Sequence, residues 1–400
     1  MAAHRERPPR DPRGRHRLRP AQRSLGRSGC AGRRDAGARS RREDRLEAVP
    51  DDGEDRRSLL EAGRVQSAAS AGGPGDLRGR VHRGGGRERR SRQRLRRAVT
   101  DGGGGGAGIV RVGTAGWMYK DWEGIVYPPA RRGFDRLGLM ASLFDTNEIN
   151  STFYRVPPPS MPRDWARRVS HNPDFRFTAK LYRAFTHERI AGIEDERAVA
   201  AAMGALADAS RLGCVLVQVP MSFHRTVENR DVLAKIFHRF AVFPMAVEFR
   251  HFSWNDPETL RFLEDEGVGF VNIDQPRLKG NLPGTSYVTG PLAYYRFHGR
   301  NAAKWFGPNT SNEERYNYLY SGNELEPWAQ RIREGRARRA DANAFAVMNN
   351  HFRGQAVANA LQLQQMLTGE MRAAPESLTA TYPAIASATS PSAAPQKTLF

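Results

Sequence analysis

Charged side chains gather at the ends of several apolar runs, at spacings that suit acid–base chemistry. In the clearest run, PMAVEFRHFSW at 244–254, apolar residues dominate until Glu248 and Arg250 arrive near its end. Residues two apart in a β-strand share a face, so Glu248 and Arg250 can enter one pocket together. The same spacing relates Arg296 to His298. A carboxylate, a guanidinium and an imidazole in one pocket can transfer protons and hold an anion.

Two carboxylates on different runs, Glu148 and Glu248, are predicted to act as a general acid and base. Lys180 ends a third run and is predicted to bind an anion or act as a base, while His298 assists proton transfer. The predicted catalytic residues are therefore Glu148, Lys180, Glu248 and His298. The predicted ligand-binding residues lie at similar run ends and are Trp117, Tyr119, Asn150, Tyr154, Gln218, Arg250, Asp274, Arg296, Asn349 and Asn350.

A structural alternative stands beside each of these assignments. Glu248 and Arg250 can form a buried ion pair that only holds the pocket together. Lys180 can pair with either glutamate. The amides of Asn349 and Asn350 can form hydrogen bonds with backbone groups of a turn instead of with hydroxyl groups of a ligand. The aromatic rings near the first two run ends can stack on a sugar or a base, or they can pack in the core or at its rim.

The sequence contains no motif of a nucleotide cofactor site, because it has no P-loop, no GxSxG elbow and no dinucleotide fingerprint. The cofactor is therefore left open. Hard carboxylates with one imidazole suit a divalent metal ion. Such a metal is an alternative, with the candidate ligands Glu148, Glu248, Asp274 and His298. No recognised ligand spacing supports it, so no metal ligand is predicted.

The runs that carry these residues have the length and composition of β-strands. Eight of them occur in order, at 109–113, 146–150, 175–180, 214–219, 245–250, 269–274, 293–298 and 344–349. Helical patterns lie between most of them, at 162–169, 194–210, 231–240, 257–266 and 312–333, and a last one follows at 354–367. The gap at 275–292 is rich in Pro and Gly, so that unit is predicted to be degenerate. Alternating βα units favour a TIM-type (β/α)8 barrel, in which the C-terminal strand ends carry the site.

Composition divides the 400 residues into three parts. The first hundred hold 28 arginines against 13 acidic residues and no Phe, Tyr or Trp, so most of the net charge of +20 lies there. Residues 1–107 are predicted to be disordered. Their composition favours GC-rich DNA translated upstream of a true start over an arginine-rich arm that binds nucleic acid. The folded domain is predicted over 108–369, and 370–400 are predicted to be a second disordered tail.

Hydropathy and cysteine content favour the cytoplasm. The sequence has no apolar run of transmembrane length, and its N-terminus lacks the apolar stretch of a signal peptide. The two cysteines, Cys30 and Cys214, argue against a disulfide framework. No membrane partner is predicted, and the oligomeric state is left open.

Short motifs follow one another in order along residues 109–369. They are GTAGWMYKDW at 113–122, EINSTFY at 148–154, Lys180 followed by FTH at 185–187, QVPMSF at 218–223, VEFRHFSW at 247–254, RFHG at 296–299 and MNNHFRGQAVANA at 348–360. This set resembles the DUF72 (YecE-like) family of unknown function. The chain differs from the family pattern at Phe185 and Met221, neither of which is a polar position. The resemblance implies a TIM-barrel fold with a candidate site, and it implies no particular reaction.

These observations favour an enzyme of hydrolase, lyase or isomerase type, acting by acid–base chemistry on a polar or anionic small molecule or sugar-like group. The alternative is a barrel that binds or processes nucleic acid, with the basic N-terminal segment supplying phosphate contacts. A non-catalytic ligand sensor is a third hypothesis. Basic charge confined to the pocket favours the first hypothesis, and a wide basic groove favours the second.

Overall fold

Eight parallel strands form a closed barrel in the structure, a computed structural model that describes residues 108–129, 133–305 and 310–391. Each strand pairs with the next in sequence order, and the last pairs with the first. The TIM-type barrel predicted from the sequence is confirmed. The strands are β1 Val110–Ala115, β2 Thr146–Ile149, β3 Arg176–Lys180, β4 Leu212–Gln218, β5 Met245–Glu248, β6 Gly269–Asp274, β7 Leu292–Phe297 and β8 Asn343–Met348.

Strand residues alternate between the barrel interior and the surrounding layer of helices. On β3, Phe177 packs outward against Trp165, with 6.5 Å between the ring centroids. Its neighbour Thr178 reaches across the interior, where its Oγ1 lies 2.9 Å from the Tyr294 hydroxyl. Because both faces are covered, the strands are almost entirely inaccessible to solvent.

Helices fill the outer layer, and the one after β5 shows how the sequence sets their limits. The Asp256 carboxylate caps it by accepting from the Glu258 backbone N–H at 2.9 Å. Pro257 occupies its first turn, and Gly267 ends it with a φ of 63°. None of the helices in the described ranges is long and apolar enough to cross a membrane. The helices are α1 Arg136–Leu143, α2 Ser151–Tyr154, α3 Ser160–Arg168, α4 Arg183–Thr186, α5 Ile193–Asp208, α6 Val227–Arg239, α7 Pro257–Glu266, α8 Ala302–Trp305, α9 Asn312–Arg315, α10 Gly322–Arg338, α11 Gln355–Thr368 and α12 Glu376–Thr381.

The connection between β6 and β7 is described in full and contains no helix, as predicted for the degenerate unit. Asn272 on β6 holds it in place. Its Oδ1 accepts hydrogen bonds from Thr285 Oγ1 at 2.8 Å and from the Tyr287 backbone N–H at 2.7 Å. Its Nδ2 donates to the Tyr287 carbonyl at 2.9 Å. The buried amide of Asn272 thus forms hydrogen bonds with backbone groups of the connection, which in a helix would bond to each other.

The single helix predicted over 312–333 is divided in the structure into α9 and α10. Asn359 of α11 occupies the break between them. Its Oδ1 accepts from the Tyr320 backbone N–H at 3.0 Å, and its Nδ2 donates to the Tyr320 carbonyl at 2.8 Å. A side chain that bonds both polar groups of one residue competes with helical hydrogen bonds there. The local sequence pattern does not contain this distant contact, which explains the error.

Residues 370–391 are folded, so the prediction of a disordered tail after 369 is wrong for this segment. Leu378 and Ile385 are buried in the hydrophobic core, and the Ser377 hydroxyl donates to the Ile125 carbonyl at 2.7 Å. The composition of Ala, Ser and Thr predicted disorder, but a few apolar side chains suffice to dock the segment. The remaining parts predicted to be disordered, 1–107 and 392–400, lie outside the described residues.

Replacing Leu378 with Ala should lower the free energy of unfolding by about 2–4 kcal/mol, because it removes a fully buried leucine and leaves a cavity. Chemical denaturation measures this change. The matched control is Leu319→Ala, which removes a leucine that is 42% exposed and should change stability by less than about 0.5 kcal/mol. Equal effects of the two substitutions would contradict the docking of the C-terminal segment.

Candidate functional site

One guanidinium joins two carboxylates at the C-terminal ends of the strands, the region we call the barrel mouth. Arg296 on β7 is 0% exposed. Its Nη2 donates to Glu148 Oε1 at 2.6 Å and its Nε to Glu148 Oε2 at 3.0 Å, while its Nη1 donates to Glu248 Oε2 at 3.1 Å. Both carboxylates are also fully buried. Together with His298, which contacts Glu248, these residues form what we call the mouth cluster.

Two hydroxyl groups complete the surroundings of Glu148. The Tyr294 hydroxyl donates to Glu148 Oε2 at 2.7 Å and lies 2.9 Å from Thr178 Oγ1. Tyr294 precedes Arg296 by two residues on β7 and therefore shares its interior face. Neither Tyr294 nor Thr178 is among the residues predicted from the sequence, although strand alternation is the signal that would have found both.

Three neighbours favour the charged form of Glu248. Arg250 Nε donates to Glu248 Oε1 at 2.7 Å, and His298 Nε2 lies 3.3 Å from the same oxygen. Burial raises the pKa of Glu248, but the charges of Arg296 and Arg250 and the contact with the imidazole outweigh burial. The pKa therefore lies well below its ordinary value. Glu248 is ionised at neutral pH and holds no proton to donate.

His298 is neutral at physiological pH. Burial and the positive charges of Arg250 and Arg296 lower the pKa of its imidazole to about 3, although Glu248 acts in the opposite direction. Arg296 Nη1 lies 3.4 Å from Nε2, but the Glu248 carboxylate is nearer at 3.3 Å, and the Asn349 amide faces the other nitrogen, so we assign the hydrogen of the neutral ring to Nε2. Nδ1 is then the acceptor, and Asn349 Nδ2 lies 3.1 Å from it. Glu248 and Asn349 together fix the tautomer.

Two aromatic rings cover His298 from the connection between β7 and α10. The ring centroids of Trp305 and Tyr316 lie 6.1 Å and 6.3 Å from that of His298. The two rings also contact each other at 5.9 Å, and both are buried. They belong to a stretch of short helices with no strand period, so no pattern in the sequence pointed to them as neighbours of the site.

Gln218 contacts the mouth cluster, and Lys180 ends a neighbouring strand. Gln218 pairs with Glu248 in the strand register, and its Oε1 accepts from Arg296 Nη1 at 3.4 Å. Lys180 ends β3, between the strands of Glu148 and Gln218. It is buried, and its Nζ lies 5.0 Å from the centroid of an aromatic ring, that of Phe153.

Three of the predicted amides, Asn150, Asn349 and Asn350, are buried around the ends of β2 and β8. The Oδ1 atom of each has no hydrogen-bond partner among the described residues. A buried acceptor without a donor costs about 1–3 kcal/mol, so the oxygens of Asn150 and Asn349 suit hydroxyl or amino groups of a bound molecule. Asn350 instead donates to the Tyr318 carbonyl at 2.8 Å and to Asn359 Oδ1 of α11 at 2.9 Å, which corrects its assignment to ligand binding. Tyr119 follows β1, the strand between them, and stacks on His351 with 4.4 Å between ring centroids.

Asp274 does not face the mouth cluster, contrary to the prediction. Its carboxylate accepts from Arg300 Nε at 2.9 Å, and Arg300 also pairs with Glu324 of α10 at 3.1 Å. Asp274 shares its strand face with Asn272, whose side chain bonds the β6–β7 connection. The alternation of β6 therefore turns Asp274 toward the outer layer.

Two of the predicted aromatic residues take part in packing. Trp117 is buried and lies edge-on to Trp165 of α3, with 5.7 Å between ring centroids. This contact places Trp117 in the layer between the barrel and the helices, which corrects its assignment to ligand binding. Tyr154 packs edge-on against Phe153 at 5.1 Å.

Three of the four side chains considered as metal ligands, Glu148, Glu248 and His298, belong to the mouth cluster, whereas Asp274 lies apart from them. Among the described residues, no group of three or more His, Cys, Asp or Glu side chains is arranged to hold a metal ion. Glu148 and Glu248 are bonded to Arg296, and Asp274 faces the outer layer. The mouth cluster is therefore built around a guanidinium group.

The fold and the site together define a TIM-type barrel with a buried, charged cluster where TIM-barrel proteins carry their active sites. The family model for "Protein of unknown function DUF72" matches residues 111–383. The chain belongs to this DUF72 family, as its motifs predicted.

Individual relatives agree with this assignment. The chain is 29% identical over 274 residues to the UPF0759 protein YunF of Bacillus subtilis. The matched region covers 65% of this chain and 95% of the relative. A solved structure of a DUF72 family protein from Thermotoga maritima is 34% identical with a TM-score of 0.57, and covers 65% of this chain and 99% of that one. Another from Enterococcus faecalis is 27% identical with a TM-score of 0.58, and covers 65% and 95%.

Acid unfolding should report on His298. The pKa of this imidazole is about 3 in the folded protein and about 6.5 in an unfolded chain. The unfolded state therefore binds the proton first, so the stabilisation is present above about pH 6.5 and is lost as the pH falls toward about 3. The free energy of unfolding should fall by up to about 1.4 kcal/mol per pH unit in this window. Chemical denaturation at a series of pH values measures the slope.

His298→Asn should flatten this slope, whereas His171→Asn should not, because His171 is exposed. Measurements are best kept above about pH 5, because the stabilisation from Glu248, whose pKa is lowered in the folded protein, begins to be lost as the pH falls through the ordinary pKa of a glutamate, about 4.3. The same slope in all three proteins would show that His298 is not held neutral by the fold.

Proposed function

We propose that the barrel mouth binds a small anionic molecule and catalyses proton transfer on it. The observation that supports this is the mouth cluster, four fully buried titratable side chains from three different strands. Charges taken out of water are costly, and well-packed apolar residues would stabilise a barrel at least as well. Such a cluster at the catalytic end of a TIM-type barrel therefore favours function over scaffolding.

The formal charges around the mouth favour an anionic ligand. Three positive charges meet two negative ones there, those of Lys180, Arg250 and Arg296 against Glu148 and Glu248, which leaves one positive charge. Arg250 is the most exposed of these residues, with 12% of its side chain accessible. An entering carboxylate or phosphate would meet Arg250 first, in surroundings of low dielectric where the attraction is strong.

The buried amides suit the uncharged part of such a molecule. Asn150 and Asn349 each offer an Oδ1 acceptor that no described residue satisfies. Hydroxyl groups are the matching donors. A molecule that combines hydroxyl groups with an acidic group, such as a sugar acid or a sugar phosphate, would satisfy both the amides and the excess positive charge.

His298 is the group that accepts a proton in this proposal. Its imidazole is neutral, but its pKa of about 3 makes it a weak base, and its Nδ1 lone pair faces the Asn349 amide. A bound anion would raise this pKa, and a substrate group would have to displace the amide to reach Nδ1. The ionised Glu248 accepts the Nε2–H bond and would stabilise the imidazolium formed when Nδ1 takes a proton from the substrate. His298 is then the general base and Glu248 its positioning residue. This differs from the sequence-based interpretation, which gave Glu248 the acid–base role itself.

Burial favours a small molecule over nucleic acid as the ligand. A polynucleotide needs a wide basic groove, whereas the charges here lie inside the barrel and His298 lies beneath Trp305 and Tyr316. The enzyme hypothesis is therefore preferred over the nucleic-acid-binding alternative.

Small molecules captured from a cell extract on the full-length protein, and identified by mass spectrometry, should include a hydroxylated anion. Arg250→Gln should weaken binding of that molecule at least about tenfold, or 1.4 kcal/mol, in a calorimetric titration. The matched control is Arg225→Gln, which removes an arginine paired with Asp256 at 3.2 Å outside the mouth and should leave the affinity unchanged. Equal affinities in the two variants would overturn the site.

His298→Asn should retain the captured molecule but lower its turnover by about 100-fold to 10,000-fold, the usual contribution of a general base. Turnover is followed by mass spectrometry of the product. An isomerised or cleaved product formed by the wild-type protein and absent in the variant supports the assignment. Unchanged turnover in His298→Asn would assign the base to another residue.

A further inference from the structure

A second cavity lies outside the barrel, between the β6–β7 connection and helix α10. Its volume is about 600 Å³, which is within the range of small-molecule sites. None of the mouth cluster residues lines it. Its charged and aromatic lining residues are Asp274, Arg277, Arg300, Glu324, Trp328 and Arg331.

The two carboxylates of this cavity already have a partner. Asp274 and Glu324 both pair with Arg300, at 2.9 Å and 3.1 Å. Arg277 and Arg331, in contrast, form no ion pair with a carboxylate in the part of the chain that the structure describes. The cavity therefore presents two guanidinium groups whose charge is not balanced locally.

A buried indole ring holds one of these guanidinium groups in place. The guanidinium carbon of Arg331 lies 4.7 Å from the ring centroid of Trp328, which holds it in a defined place. Gly284 faces the same two side chains, and a Cβ atom there would lie 3.1 Å from both Arg331 Nη1 and Trp328 Cζ2. The glycine thus lets the backbone lie close against both side chains, where a larger residue would crowd them. The half-exposed Leu278 and the exposed Pro283 and Pro327 supply the accessible apolar surface of the cavity.

We propose that this cavity binds a small anion with a flat apolar body, such as an aryl phosphate or an aromatic carboxylate. The anionic group pairs with Arg331 and Arg277, the two cations that lack a carboxylate partner. The flat body packs against Leu278, Pro283 and Pro327, the apolar lining residues that are not fully buried. Trp328 is 3% exposed and lies behind Arg331, so it positions that arginine and does not contact the ligand. Asp274 ends β6 but does not face the barrel mouth. It pairs with Arg300 and so positions that side chain at one side of the cavity. The site does not depend on the function proposed for the mouth.

Phenyl phosphate is a simple probe of this class. In a calorimetric titration of the full-length protein at about 0.15 M salt, which limits weak surface attraction, phenyl phosphate should bind. Inorganic phosphate should bind at least about tenfold more weakly, because it lacks the apolar ring. No binding of phenyl phosphate, or equal affinity for the two anions, would overturn the proposal.

Matched variants locate the bound probe. Arg331→Gln and Arg277→Gln should each weaken phenyl phosphate binding at least about fivefold, or roughly 1 kcal/mol. Arg333→Gln is the control on the same helix, because Arg333 is exposed, pairs with Glu326 and does not line the cavity. It should bind the probe as the wild type does.

Arg250→Gln, at the barrel mouth, should also leave phenyl phosphate binding unchanged. Loss of binding in this variant together with retention in Arg331→Gln would place the probe in the mouth and overturn the proposal. Since Arg250→Gln tests the mouth and Arg331→Gln tests the outer cavity, the two proposals can fail separately.

Discussion

The burial of Arg296 between two glutamates is the constraint on which the barrel mouth depends. If one partner of such a group is removed, an opposite charge is left out of water, at a cost of roughly 3–5 kcal/mol. Glu148, Glu248 and Arg296 come from β2, β5 and β7, so their ion pairs cannot form until strands that are distant in sequence lie side by side in the barrel. Closure of the barrel and pairing of its charges are therefore one event. The same pairing keeps Glu248 ionised and, with burial, keeps His298 neutral.

Alternation along the strands gives adjacent residues opposite surroundings. Arg296 turns into the barrel, while Phe297 beside it packs outward against Trp328 of α10 at 5.3 Å. On β5, Glu248 turns inward, and Phe249 stacks in the outer layer. The aromatic shell excludes water from the strands that hold the charges, and hydrogen bonds are electrostatically stronger in such surroundings.

The sequence predicted those features that local patterns contain. The strand period predicted the barrel, the helical pattern at 257–266 predicted helix α7, and the spacing of Arg296 and His298 identified one face of β7. The errors arose where the structure depends on a long-range contact, or on which face of a strand a residue occupies. Asn359 interrupts a helical pattern from another helix, apolar side chains dock a segment with the composition of a tail, and Asp274 lies on the outer face of β6.

The length of chain between Glu148 and its partners has a consequence for synthesis on the ribosome. Its carboxylate takes hydrogen bonds from Tyr294 and Arg296, which follow it by 146 and 148 residues. At ordinary translation rates, roughly ten to thirty seconds pass between the appearance of β2 and that of β7. A nascent half-barrel would have to bury the carboxylate without these two donors, so we expect the early strands to stay solvated until β7 has emerged. We therefore expect the barrel to close late and cooperatively, once the donors of β7 can reach Glu148.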